Sequence, residues 1–211
     1  MYSAVTKSEE KCCLNNPGVG SNFDSTKLAS ATRGALTLAA LSALLLITPA
    51  LARAQTETVL YSFCTQSGCT DGHRPHAGLV LDKSGNLYGT TYQGGANGEG
   101  TVFEVSPSGA ETVLHSFCAQ SHCRDGSRPL AGLVLDAKGN LYGTTYSGSA
   151  RDTVFEVSPG GTETVLHSFT ARGTDGYYPS AGLVLDAKGN LHGTTLSGGA
   201  NGGGTVFRVV P

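Results

Sequence analysis

Four cysteines in two equally spaced pairs are the residues of this chain whose spacing points most directly to chemistry. Cys64 and Cys69 are five positions apart, and Cys118 and Cys123 repeat that spacing. A third copy of the same segment, residues 170–175, lacks both cysteines, as expected if they are lost together as a bonded pair. We therefore predict a local disulfide in each of the first two copies, which requires an oxidising compartment.

A zinc site is the alternative for the same cysteines, with His73 or His122 as a further ligand. Tetrahedral zinc sites favour closer cysteine spacing, and exported thiols oxidise, so the disulfides are preferred. We predict no metal and no cofactor.

The segments that follow the cysteines carry a second set of polar residues, in an Asp-Gly-x-x-Pro pattern that occurs three times. One interpretation is a capped turn, in which Asp bonds the backbone and Pro presets φ. The other is a ring of side chains around a shared mouth that would bind a sugar or a peptide. The candidate ligand-binding residues are Asp71, Arg74, Asp125, Arg128, Asp175 and Tyr178.

Other polar motifs do not indicate catalysis. The glycine-rich segment 94–100 lies between two predicted strands and leads into no helix, so it does not match a phosphate-binding loop. His115, His167 and His192 stand where other copies have tyrosine, which favours packing. Without a nucleophile elbow we predict no catalytic residues and no enzymatic activity.

Composition narrows the fold and the partners. The 211 residues carry a formal net charge of −2, which argues against nucleic-acid binding. Thirty glycines oppose helix formation, and residues 55–211 have no apolar 3.6-residue period. We expect an all-β protein.

The N-terminal part of the chain has the sequence features of an export leader. Residues 34–49 are apolar but shorter than a membrane span, and a small-x-small pattern follows them. We predict that residues 1–54 form a leader removed on export, and that residues 55–211 form a single repeat domain that is secreted, periplasmic or on the cell surface. An uncleaved leader would be the only membrane contact.

The predicted domain consists of three copies of one repeat unit, approximately residues 77–117, 131–169 and 181–209. Each unit offers four short runs rich in β-branched and aromatic residues, joined by turn residues as an antiparallel meander. Residues 57–63 have the sequence of a fourth run, but no first, second and third runs precede them. The last unit has the first three runs and lacks a fourth. We therefore expect residues 57–63 to pair with the last unit and close the array.

Two folds accept three repeats of four strands, a β-propeller and a β-trefoil. The runs at residues 79–81 and 102–103 are apolar on both faces, which favours sheets sandwiched between neighbouring blades. We predict a propeller-like array. Three blades are few for a ring, so two chains joining as a homo-oligomer are one way to close it.

The repeated pattern Ala-Gly-Leu-Val-Leu-Asp-x-x-Gly-Asn-Leu-Tyr-Gly-Thr-Thr, with Gly-Thr-Val-Phe and Glu-Thr-Val-Leu-His-Ser-Phe, resembles the Gloeo/Verruco tandem repeat of exported bacterial choice-of-anchor proteins. The resemblance covers residues 57–209. It implies a propeller-like array at or beyond the cell surface and brings no catalytic motif.

Three functions are compatible with these observations. The first is an exported, non-enzymatic module that binds a glycan or a peptide through the variable loops at one end of the array. The second is a metal-dependent hydrolase or lyase of the propeller type. The third is a structural repeat fragment that works by self-assembly.

Overall fold

The computed structural model describes residues 56–146, 151–170 and 175–211, and these form short antiparallel strands. The helical segments among them are two 3-10 turns, Ser67–Cys69 and Ser121–Cys123. The predicted all-β class with almost no helix is confirmed for this part of the chain. None of its helical segments has the length and apolar character that a membrane crossing requires.

The predicted leader, residues 1–54, lies outside the described residues. So do residues 147–150 and 171–174, which belong to two of the variable loops.

Units 1 and 2 are antiparallel meanders, as predicted. In each unit, neighbouring strands of the sheet follow the order of the sequence. We call the first run of a unit its inner strand and the fourth run its outer strand. Unit 1 consists of β1 (His73–Pro75), β2 (Val80–Leu81), β3 (Leu87–Gln93), β4 (Thr101–Val105) and β5 (Glu111–Ser116). Unit 2 consists of β6 (Val134–Leu135), β7 (Leu141–Thr145), β8 (Thr153–Val157) and β9 (Glu163–Ser168).

The inner strand of unit 1 differs from the predicted run at 77–82. It begins earlier and consists of two separate strands. Strand β1 pairs with one end of β3, and β2 pairs with the other end. Arg74 has a left-handed φ of 58°, and Pro75 has no N–H to donate to a ladder.

Unit 3 is built from the same strands without an outer one. Strands β11 (Val184–Leu185), β12 (Leu191–Thr195) and β14 (Thr205–Val209) form one sheet, while β10 (Gly176–Tyr177) and β13 (Ser197–Gly198) form a two-stranded pair.

The turn between the first two runs of each unit is held by its aspartate. In unit 2, Asp136 accepts hydrogen bonds from the backbone N–H groups of Lys138 and Asn140 at 2.8 and 2.9 Å, and from the Tyr142 hydroxyl at 3.2 Å. Burial alone would raise the pKa of Asp136, but these bonds lower it. Gly139 takes the positive φ that the turn requires.

The core lies between units. One apolar cluster joins units 1 and 2, where the Phe117 ring after β5 packs edge-on against Phe155 of β8 at 5.0 Å. A second cluster joins units 2 and 3, where Phe169 packs against Phe207 at 5.1 Å. Each sheet of a pair is therefore covered on one side by its neighbour.

A glycine in the middle of each second strand makes room for this packing. Gly143 of β7 lies opposite Phe155, and a Cβ placed on Gly143 would stand 2.6 Å from the Phe155 ring and 2.8 Å from the Leu133 side chain. The glycine therefore serves close packing of an aromatic ring across the sheet.

The predicted pairing of residues 57–63 with the last unit is not found in the structure. Residues 56–63 form no strand, and β14 pairs with β12 alone. The described sheets are not closed into a ring. Residues 57–63 instead lie against unit 1, where Phe63 packs on Phe103 at 4.8 Å.

We expect Gly143→Ala to lower the free energy of unfolding by about 1–3 kcal/mol, because the added methyl would displace the Phe155 ring. Chemical denaturation of the oxidised protein measures this change. Gly160→Ala is the matched control, since the nearest atom to its added carbon is 3.9 Å away. Equal effects of the two substitutions would contradict the packing role of Gly143.

Candidate functional site

The variable loops meet at one end of the array, as the meander topology predicts. In units 1 and 3, the loop before the unit contacts the loop between its second and third runs, and the loop before unit 2 contacts that loop of unit 1. Gly95 N–H donates to the Cys69 carbonyl at 3.0 Å, and Arg128 N–H donates to the Glu99 carbonyl of the preceding unit at 2.7 Å. We call this end of units 1 to 3 the loop face.

Both predicted cysteine pairs are bonded. Cys64 is joined to Cys69 and Cys118 to Cys123, with a Cα–Cα distance of 4.0 Å in each pair. Because disulfides persist in oxidising surroundings, the pairs indicate an extracellular type of environment. Each bond closes the loop that leads into a new unit.

The aspartates of the Asp-Gly motif hold these loops together. Asp71 is fully buried, and its Oδ2 accepts hydrogen bonds from the Thr65 N–H, the Thr65 hydroxyl and the Tyr61 hydroxyl at 2.8–2.9 Å. Asp125 is also fully buried and accepts from the N–H groups of Ala119 and Gln120. These contacts favour the capped-turn interpretation for both residues.

Asp175 repeats the arrangement in a more open setting. Its Oδ2 accepts from the Thr170 N–H at 2.9 Å, and its Oδ1 lies 3.5 Å from His167 Nε2. The corresponding histidine of the preceding unit, His115, lies 3.7 Å from Asp125, in the place that Tyr61 has beside Asp71. The exchange of histidine and tyrosine thus preserves one contact to a loop aspartate.

The remaining predicted site residues stand in similar backbone positions but different surroundings. Arg74, Arg128 and Tyr178 all have a left-handed φ of 57–63°. Arg74 is exposed. Arg128 forms an ion pair with Glu99 at 2.8 Å, which raises the pKa of its guanidinium.

Tyr178 packs at 5.0 Å on Tyr146, and its N–H is held by the Asp152 carboxylate. No contact in the described residues joins the three side chains into one mouth, so their role in ligand binding stays a prediction.

Two half-buried glutamates were not singled out from the sequence. Glu111 and Glu163 open the outer strands β5 and β9, and each has a buried Oε1 without a hydrogen-bond partner in the structure. Burial, and then the negative charge of Asp71 or Asp125, raises both pKa values to about 7. The only sequence signal is that glutamate begins each copy of the outer run.

The loop face also holds a polar cleft of about 580 Å³ beside the second disulfide loop. It lies between that loop and the outer strand β9 of unit 2. Two cations, Arg124 and Arg151, face it together with the half-buried Glu163. Its lining residues are Gln120, Arg124, Arg151, Glu163, Thr164, Val165 and Ser168.

The two arginines of the cleft are specific to unit 2. Thr70 stands in unit 1 where Arg124 stands in unit 2, and its hydroxyl donates to Gln66 instead. The sequence analysis placed functional variation in these loops but did not single out either arginine, because neither belongs to the Asp-Gly-x-x-Pro motif.

Within the described ranges, no three His, Cys, Asp or Glu side chains are grouped so that they could hold a metal ion.

Comparison with known proteins identifies the repeat. The family described as the Gloeobacter/Verrucomicrobia repeat matches residues 45–211. The chain therefore belongs to this repeat family. A search of the curated proteins finds no match.

Among solved structures, the chain is similar to an X-ray structure described as that of a "putative gluconolactonase". The two share 19% sequence identity with a TM-score of 0.35, and the match covers 63% of this chain. It spans 47% of the other chain, about half of its length.

The two half-buried glutamates predict a pH dependence of stability. Their pKa values are raised on folding, so between about pH 4.5 and 7 the folded state binds more protons than the unfolded state. Their contribution to the free energy of unfolding therefore falls as pH rises through this window. We expect about 1 kcal/mol per residue after allowance for solvent screening.

Glu111→Gln with Glu163→Gln should reduce this fall, measured by denaturation at pH 5 and pH 7.5. Glu104→Gln, which removes the same charge from the neighbouring strand, is the control. His115 acts in the opposite direction because burial lowers its pKa, but it is present in every variant. An unchanged pH profile in the double variant would contradict the assignment.

Proposed function

We propose that this chain is an exported, non-enzymatic binding module that presents its loop face to a glycan or a peptide. The scaffold is the array of repeat units, and the loops that differ between units supply the binding groups. Such a division of roles is common, because loops on a rigid scaffold tolerate variation.

The observation that carries the proposal is the cleft beside the second disulfide loop. Arg124 and Arg151 bring two positive charges to it, and hydroxyl and amide groups of its lining can bond a polar ligand. The facing Glu163 has a raised pKa of about 7, so near neutral pH it offsets the two arginines only in part. The cleft thus suits a ligand with carboxylate or sulfate groups.

The buried aspartates have a supporting role in this proposal. Asp71 and Asp125 use their carboxylates within their own loops, so the ligand would contact arginine, hydroxyl and amide groups instead. No observation in the described residues favours the alternative of a metal-dependent hydrolase or lyase.

Export is the second part of the proposal. The two disulfides support it, since such bonds are rare in reducing compartments. Thiol alkylation and mass spectrometry of protein from the cell envelope and the medium would test it. Free thiols at all four loop cysteines would contradict export in this form.

Binding is best tested by titrating the purified chain with uronic-acid oligosaccharides, neutral oligosaccharides of equal length and an acidic peptide. We expect one of the two anionic probes to bind and the neutral probe not to. Arg124→Ala with Arg151→Ala should weaken binding at least about tenfold, because both charge-assisted contacts are lost. Lys83→Ala with Lys138→Ala is the control, since these lysines lie in the turns at the opposite end.

The same titration separates the cleft from the predicted arginine ring. Arg74→Ala with Arg128→Ala should leave affinity within about twofold if the cleft alone binds the ligand. A large loss in this variant and none in Arg124→Ala with Arg151→Ala would place the site at the ring. Binding of neither anionic probe would contradict the proposal.

A further inference from the structure

The open ends of the array are complementary to each other. We call residues 57–63 the opening segment. We propose that the opening segment of one copy of this chain pairs with the free edge of β14 in a second copy, so that two copies complete a six-unit ring. This interaction surface is separate from the cleft on the loop face and does not depend on ligand binding.

The first step of the argument is sequence identity between the opening segment and the two outer strands. The opening segment reads Glu-Thr-Val-Leu-Tyr-Ser-Phe, and both outer runs, residues 111–117 and 163–169, read Glu-Thr-Val-Leu-His-Ser-Phe. Six of seven positions agree. A segment with this sequence is therefore suited to the edge that β5 and β9 occupy in their own units.

The second step is that the opening segment already lies on unit 1 in the position of an outer strand. Phe63 packs on Phe103 at 4.8 Å with the rings inclined by 65°, and Phe117 packs on Phe155 at 5.0 Å with the same inclination. The Tyr61 hydroxyl contacts the loop aspartate Asp71, as the equivalent histidines contact theirs.

The backbone agrees with the side chains. A Cβ placed on Gly109 would lie 2.9 Å from the Leu60 carbonyl, and one placed on Gly161 would lie 2.7 Å from the Leu114 carbonyl. The opening segment thus makes the contacts of an outer strand with the unit that follows it. Among the described strands, none lies on its other side.

The third step concerns the free edge. Strands β4 and β8 each pair with an outer strand, whereas β14 pairs only with β12. The missing strand changes the exposure of one valine. Val102 and Val154 are fully buried, whereas the equivalent Val206 is 82% exposed. This side of unit 3 therefore lacks the cover that units 1 and 2 have.

The face that would meet it is exposed in the same way. Leu133 and Leu183 are 4% and 5% exposed, and their equivalent in unit 1, Leu79, is 52% exposed. Leu79 lines an apolar cleft of about 460 Å³ together with the opening segment and Phe103. In the junction between units 1 and 2, Val102 packs in a cluster with Leu133 and Phe155. Val206 of a second copy would fill the cleft in the same way.

The register of the joint follows from the two complete units. Thr112 lies opposite Glu104 and Thr164 lies opposite Glu156, so Thr58 should lie opposite Arg208 of the other copy. Backbone hydrogen bonds predict the same register. Phe117 N–H donates to the Gly100 carbonyl, so Phe63 N–H should donate to the Gly204 carbonyl of the other copy.

Ring closure determines the number of copies. Propeller rings have about 4–8 blades, and copies that join through the three units described here add blades in multiples of three. Six is the only such number in the range, which gives a dimer with two identical joints. The exposed edge of β14 is then paired, which removes a site for uncontrolled strand pairing.

The test uses cross-linking of the full chain with Cys12 and Cys13 replaced by serine and the loop disulfides intact. In Thr58→Cys with Arg208→Cys, a short bifunctional thiol reagent should give a covalent dimer. Glu104→Cys with Thr112→Cys is the positive control, since the same pair lies within one chain. In Thr58→Cys with Glu156→Cys no dimer should form, because β9 already occupies that edge.

Light scattering supplies an independent measurement. The 211 residues have a mass of 21.6 kDa, and we expect the unmodified protein to have twice the mass of one copy, whether or not residues 1–54 are present. Val206→Lys should give the monomer mass with unchanged β-sheet content, since this side chain is exposed within one copy. Thr112→Lys, also exposed, should remain dimeric. A monomer at all concentrations, or a cross-link between residues 58 and 208 of one chain, would overturn the proposal.

Discussion

The structure depends on a ring contact between neighbouring units. Three times along the chain, a phenylalanine that follows or ends an outer run packs edge-on against a phenylalanine in the third run of the next unit, at 4.8, 5.0 and 5.1 Å. Edge-to-face pairs of this kind add to the free energy of burial. Because the two partners come from different units, no unit completes its core alone.

Several sequence features follow from this contact. The glycine in the second strand, such as Gly143, is needed because the ring of the third strand lies across it. The aspartates at the loop face have a related task, since Asp71 and Asp125 hold the loop that passes from an outer strand into the next unit. The disulfides close the same loops. These residues therefore serve the junctions between units.

The sequence predicts the repeat, its antiparallel strands and the two disulfides, because each has a local signal. The turn at Asp136 is one example, where the Asp-x-x-Gly-Asn pattern contains both the acceptor and the residue with positive φ. The predicted inner run of unit 1, residues 77–82, contains β2, but β1 was not predicted, because its pairing with one end of β3 is a tertiary contact without a local sequence signal. The cleft could not be predicted, since Arg124 and Arg151 are 27 positions apart and belong to no motif. The partial burial of Glu163 likewise has no local sequence signal.

Hydrogen exchange of the full chain most directly tests the central claim that every unit needs an outer strand, which units 1 and 2 supply themselves and unit 3 receives from a second copy. Peptides covering residues 57–63 are compared with those covering β5 and β9. The account predicts slow exchange in all three at high protein concentration, and faster exchange in residues 57–63 and in β14 on dilution. Rapid exchange of residues 57–63 at every concentration, with β5 and β9 protected, would contradict it.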